Sequence, residues 1–98
     1  SVRVADPVLE YALRIVRHSR SLPSLTLGGS PRAALMLVQA AKALALLRGR
    51  DYLTPDEIQL MAAPVLRHRV RLTPEAEIEG LSADACIRSL IAQVEIPR

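Results

Sequence analysis

Apolar residues recur at three- and four-residue intervals in four stretches of the chain, the spacing of amphipathic helices. In the first, Val8, Leu9, Ala12, Leu13, Ile15 and Val16 form a wide stripe, with Glu10, Arg14 and Arg17 on the other side. Asp6-Pro7 reads as N-cap and first helical residue. The helix then runs from Val8 to about Ser19, with Glu10 and Arg14 as an i,i+4 pair. The second stretch, Pro31 to Arg48, is almost entirely Ala, Leu, Met and Val, with only Arg32, Gln39, Lys42 and Arg48 polar. A helix apolar nearly all round must be covered by other elements, which predicts a central position. Ser30 suits its N-cap and Pro31 its first position, and Gly28-Gly29 leaves room for a tight turn in. Arg48 suits the negative end of the dipole, and Gly49 can take the left-handed conformation past the last turn.

The third stretch opens on Thr54-Pro55-Asp56-Glu57, a capping box with proline at the first position, and continues through Ile58, Met61, Ala62 and Val65. Pro64 has no N–H for the Leu60 carbonyl, so the expected helix ends at Ala62 or Ala63, with a separate turn near Val65–Arg67. In the fourth, Ser82 caps a helix carrying Ala83, Cys86, Ile87, Leu90, Ile91 and Val94, with Asp84 in its first turn and Pro97 closing it. Thr73-Pro74-Glu75-Ala76-Glu77 predicts a single turn ending near Gly80. Alternation marks three shorter pieces: Val2-Arg3-Val4 as an extended lead-in, and Leu25–Leu27 and Val70–Leu72 as strands that could pair into a ribbon resting on helices. The expected fold is all-α, a small bundle of about four helices with room for one two-stranded ribbon.

Ninety-eight residues suit one domain with one core. Half are hydrophobic, yet Phe and Trp are absent and only Tyr11 and Tyr52 are aromatic, so the core must be aliphatic. Cys86 stands alone, which excludes an internal disulfide; its apolar face argues for packing over reactivity. No apolar run reaches the ~20 residues of a membrane span and no leader pattern opens the chain, so the expected location is cytoplasmic, away from membranes. The net charge of +3 hides a skew of twelve arginines to one lysine, Lys42. That skew favours fixed contacts with oxyanions or carboxylates, and is equally what codon bias in a GC-rich genome produces.

Most constellations of reactive residues fail on inspection. His18 and His68 lie beside arginines without metal-ligand spacing, and read as surface histidines; no metal site is expected. Glu75, Glu77 and Glu79 read as a solvated acidic patch. No G-x-x-x-x-G-K-[ST] loop exists, so this chain alone is not expected to be an enzyme, and no residue is assigned a catalytic role. The pair of helices 31–48 and 55–62 invites a helix-turn-helix reading, but the linker is too long and Asp56 and Glu57 would repel phosphates. A small basic DNA-binding module, or a plain protein-interaction module, remains the alternative. Arg32 stands out because a first helical turn disfavours a cation. It is either a guanidinium placed to meet a phosphate together with the helix start, or a solvent-exposed arginine, and the local pattern alone favours the second.

Gly28-Gly29-Ser30-Pro31-Arg32-Ala33 closely resembles the G-A-S-P-R-A sensor-2 motif of MoxR-type AAA+ ATPases, with Gly29 in place of alanine. The run Ala45 to Asp56, Pro64 to Arg69, and Asp6 to Tyr11 also resemble that family's C-terminal lid, in order along the whole chain. The resemblance implies that residues 1–98 are a single lid domain from a larger ATPase whose α/β core carries the nucleotide loops. It implies Arg32 as the sensor-2 arginine reaching the ATP γ-phosphate, with Ser30 and Pro31 in support. ATP and Mg2+ would act in the full-length protein, with none bound by the isolated domain. Implied partners are the protein's own core, neighbouring subunits of a ring and von Willebrand factor A domain proteins. The implied activity is chaperone-like remodelling, with nucleic acid outside that picture.

Overall fold

A computed structural model describes residues 1–27 and 30–97. The turn expected at Gly28-Gly29 and the side-chain cap expected from Ser30 lie outside the described residues. In chain order the elements are α1 (Asp6–His18), a 3-10 turn (Ser19–Ser21), β1 (Leu25–Leu27), α2 (Ser30–Leu47), α3 (Pro55–Leu66), β2 (Val70–Leu72), α4 (Pro74–Ile78) and α5 (Ala83–Gln93). The molecule is elongated, 43 × 21 × 21 Å. The expected bundle and ribbon are both present. The helix count is five because the turn at residue 74 is a short α-helix.

Helix α2 lies against α3 and α1, and α5 packs on α3 and α1. Small side chains allow this closeness: Ala33, Ala34, Ala41 and Ala45 of α2 and Ala62 of α3 are all buried. Larger groups fill the layers between them, chiefly Tyr11, Ile15, Leu37, Ile58, Leu66, Ile87 and Leu90. Cys86 is also buried, as a small hydrophobe outside that cluster. The core is aliphatic apart from Tyr11, whose hydroxyl accepts a 3.1 Å hydrogen bond from Gln59 Nε2 on α3.

Three local expectations need correction. Asp6 does not cap α1; Ala5 holds the extended N-cap position without a side-chain cap, and Asp6 and Pro7 are already helical. Two residues then occupy the first turn that suit it, an acid and a proline. Helix α3 does not stop at Pro64 but runs on to Leu66. Only the Leu60 carbonyl loses its donor there, and Leu66, fully buried, draws the last turn onto the core. Finally, α2 is not covered all round. Arg32, Leu35, Met36, Gln39, Ala43, Leu46 and Leu47 form an exposed stripe along its full length, and Leu47 is 85% exposed.

The remaining starts and stops follow their sequence signals. Thr73 accepts from the Ala76 N–H and Ser82 from the Ala85 N–H, at 3.3 and 3.1 Å. Gly49 and Gly80 have φ of +77° and +79°, ending α2 and α4 where a side chain would be strained. The ribbon is antiparallel, with Leu25 opposite Leu72 and Leu27 opposite Val70. The N-terminal lead-in finds a partner as well: Arg3 N–H donates to the Asp51 carbonyl (2.8 Å) and Leu53 N–H to the Arg3 carbonyl (2.9 Å). These bonds tie the chain start to the α2–α3 connection.

Candidate functional site

Arg32 sits in the first turn of α2, exposed to solvent. Among the described residues no carboxylate lies within ion-pair distance of it, although Arg3, Arg14, Arg17, Arg48, Arg50 and Arg67 each meet one. A cation in a first turn is disfavoured by the helix dipole by about 0.3–1 kcal/mol, and nothing described offsets that cost. Beside it lies a groove of about 720 Å³ lined by Pro31, Arg32, Leu35, Met36, Gln39 and Arg69. Its floor is the N-terminal half of the exposed α2 stripe. Its second wall is Arg69, in the turn between α3 and β2, whose Nη2 lies 2.9 Å from Met36 Sδ.

Two guanidinium groups over an apolar floor, with no carboxylate in the lining, can hold an oxyanion through forked N–H donors. The lining residues therefore have the chemistry to meet an oxyanion. Pro31 lines the groove as expected of a residue beside Arg32. Arg69 was not singled out from sequence, although the ribbon carried the signal. With Leu27 paired to Val70, Arg69 sits at the end of the ribbon from which the chain proceeds into α2.

A second cleft, about 410 Å³, lies between α1 and α5 and is lined by Arg14, Arg17, His18, Ser21, Gln93 and Val94. Its charge is already answered. Glu10 meets Arg17 at 2.8 Å and Arg14 at 3.6 Å, and His18 Nε2 is 2.9 Å from Gln93 Oε1. Among the described residues no group of three or more His, Cys, Asp or Glu side chains is placed to hold a metal ion. No described helix is long and apolar enough to cross a membrane. Glu75, Glu77 and Glu79 are exposed, as a solvated patch should be.

Arg48 has a different role from the one its position suggested. It lies just past α2, and its Nη1 donates to Asp56 Oδ2 and Glu57 Oε2, both at 2.8 Å. Glu57 is fully buried and also takes Arg50 at 3.0 Å, while its other oxygen accepts from the Thr54 N–H (3.0 Å) and hydroxyl (2.6 Å). Burial pushes the Glu57 carboxyl up, but Thr54, Arg48 and Arg50 together outweigh it and hold the group below its ordinary value. The cluster ties the end of α2 to the first turn of α3.

Comparison with known proteins places the chain in a family. Residues 17–90 match the family described as the AAA lid domain. The uncharacterised protein YeaC of Bacillus subtilis is 45% identical over 97 residues, covering 99% of this chain and 30% of YeaC. The chaperone MoxR1 of Mycobacterium tuberculosis is 34% identical over 104 residues, covering 97% of this chain and 28% of MoxR1. A crystal structure from Cytophaga hutchinsonii, assigned as an ATPase, superposes with a TM-score of 0.87 at 32% identity, over 99% of this chain and 32% of that one. The chain thus spans about a third of the length of the relatives it matches.

Proposed function

The chain belongs to the AAA lid domain family, as the lid of a MoxR-type AAA+ ATPase, and from that premise we propose that it senses bound nucleotide through Arg32. The 98 residues form one lid domain of a longer ATPase whose α/β core carries the nucleotide-binding loops; coverage of about a third of each relative supports that extent. ATP bound with Mg2+ on that core supplies the γ-phosphate charge. Arg32 reaches that phosphate as the sensor-2 arginine, and Ser30 and Pro31 set the helix start that aims it. While the phosphate is in place, the guanidinium holds the lid toward the core. Once the phosphate leaves, Arg32 releases and the lid turns as a rigid body, shifting its contacts with neighbouring subunits of a ring. The work so coupled is chaperone-like remodelling in the cytoplasm, with von Willebrand factor A domain proteins as partners. Without the core, the chain neither hydrolyses ATP nor binds it tightly.

One observation carries this reading: an exposed arginine in a helical turn that disfavours it, with no carboxylate partner among the described residues. The test is Arg32→Ala in the full-length ATPase. Hydrolysis, or discrimination of ATP from ADP, is expected to fall at least about tenfold, the effect of losing a charge-assisted hydrogen bond. The melting temperature of the lid should stay nearly unchanged, with any change upward, since the substitution also removes a cation the helix dipole disfavours. A lower melting temperature with an intact nucleotide response would overturn the assignment.

A further inference from the structure

We propose that Arg69 is a second nucleotide-facing arginine, gripping another phosphate oxygen of the polyphosphate that Arg32 senses; the inference rests on the reading of Arg32 given above. Arg69 and Arg32 come from different elements yet line the same groove, together with Leu35 and Met36. Arg69 is half-buried, whereas Arg32 stands in solvent. Protein covers part of this residue, and a guanidinium so placed is stabilised by an anion within reach. Among the described residues it has none: its side-chain partner is the thioether of Met36, a weak acceptor.

The surroundings argue against a purely structural role. Two residues earlier, Arg67 already anchors this turn to α5, its Nε and Nη2 donating to the two oxygens of Asp84 at 3.1 and 2.8 Å. The Arg69 backbone N–H closes the turn onto the Leu66 carbonyl at 2.8 Å without help from the side chain. The next residue, Val70, packs against the hydrophobic core, whereas Arg69 lines the groove. Met36 holds the long side chain over the groove in advance, which lowers the entropy lost on gripping a ligand. Paired planar forks on an apolar floor suit adjacent phosphates better than a single carboxylate does.

The test uses the full-length ATPase and the equilibrium affinity for a fluorescent ATP analogue in the presence of Mg2+, a readout independent of turnover. Arg69→Ala should weaken binding at least about tenfold, and Arg69→Lys, which keeps the charge and loses the fork, should recover part of it. The melting temperature of Arg69→Ala should match the parent. Unchanged affinity in Arg69→Ala beside impaired hydrolysis or ATP/ADP discrimination in Arg32→Ala overturns this inference and leaves the Arg32 reading intact. A normal nucleotide response in both variants overturns both. Weakened subunit assembly at unchanged affinity also overturns it, and gives the groove to a carboxylate of a neighbouring protein.

Discussion

Arg48 Nη1 lies 2.8 Å from Glu57 Oε2, and through that contact the end of α2 is tied to the first turn of α3. The two partners are unequal. Glu57 is fully buried, whereas the Arg48 side chain keeps about a third of its surface in water. The carboxylate is therefore the centre of the cluster, with Arg48, Arg50 and Thr54 arranged around it.

Glu57→Gln should cost about 2 kcal/mol at neutral pH, because charge-assisted bonds to two arginines become neutral ones in a buried setting. Asp56→Asn, at a carboxylate 61% exposed, should cost no more than about 0.5 kcal/mol. Acid resolves the difference further. The folded-state value of Glu57 is depressed, so its contribution is complete above the ordinary carboxylate range, about pH 4 to 5, and is lost as pH falls through the depressed value. Denaturant melts of the parent should lose stability below that range, and Glu57→Gln should lose less of it.

Pro64→Ala should raise the melting temperature. The helix runs through this position to Leu66, so an alanine N–H restores the missing bond to Leu60 without moving the backbone. Relative to alanine, an interior proline costs up to about 3 kcal/mol, part of which it recovers by restricting the unfolded chain. A net gain of about 1 kcal/mol is expected, and a thermal melt showing a loss would mean that the proline ring shapes the turn leading to Arg69.

Leu37 and Leu47 lie on one helix and should respond oppositely. Leu37→Ala empties a fully buried site between helices and should cost about 2–5 kcal/mol. Leu47→Lys, at a residue 85% exposed, should change the stability of this chain by less than about 0.5 kcal/mol. Chemical denaturation of the two variants separates a helix buried on one side from one buried all round.

How much was legible in the sequence varied with the range of the interaction. The Ser82 cap, the left-handed Gly49 and the apolar stripe of α5 depend on groups within about four residues, and each stands where its pattern put it. The ribbon was legible as two alternating triplets, and the structure supplied their antiparallel register. Pro64 misled because a local breaking signal was weighed without the buried Leu66 beyond it. Arg48 misled for a related reason: its place at a helix end suggested the dipole as partner, while its actual partners lie on the next element. Arg32 was visible as an oddity and as part of a motif. Arg69 was one basic residue in a run of them.

By itself the sequence determined which stretches form helices, that the core is aliphatic, and that a misplaced arginine opens the longest helix, since propensity, capping and periodicity act over a single turn. Only the tertiary structure decided which side of α2 stays open, that Glu57 is buried under two arginines, and that Arg69 and Arg32 line one groove. Those facts depend on which surfaces of distant segments meet, and the free energy of that choice is spread over the whole packed core.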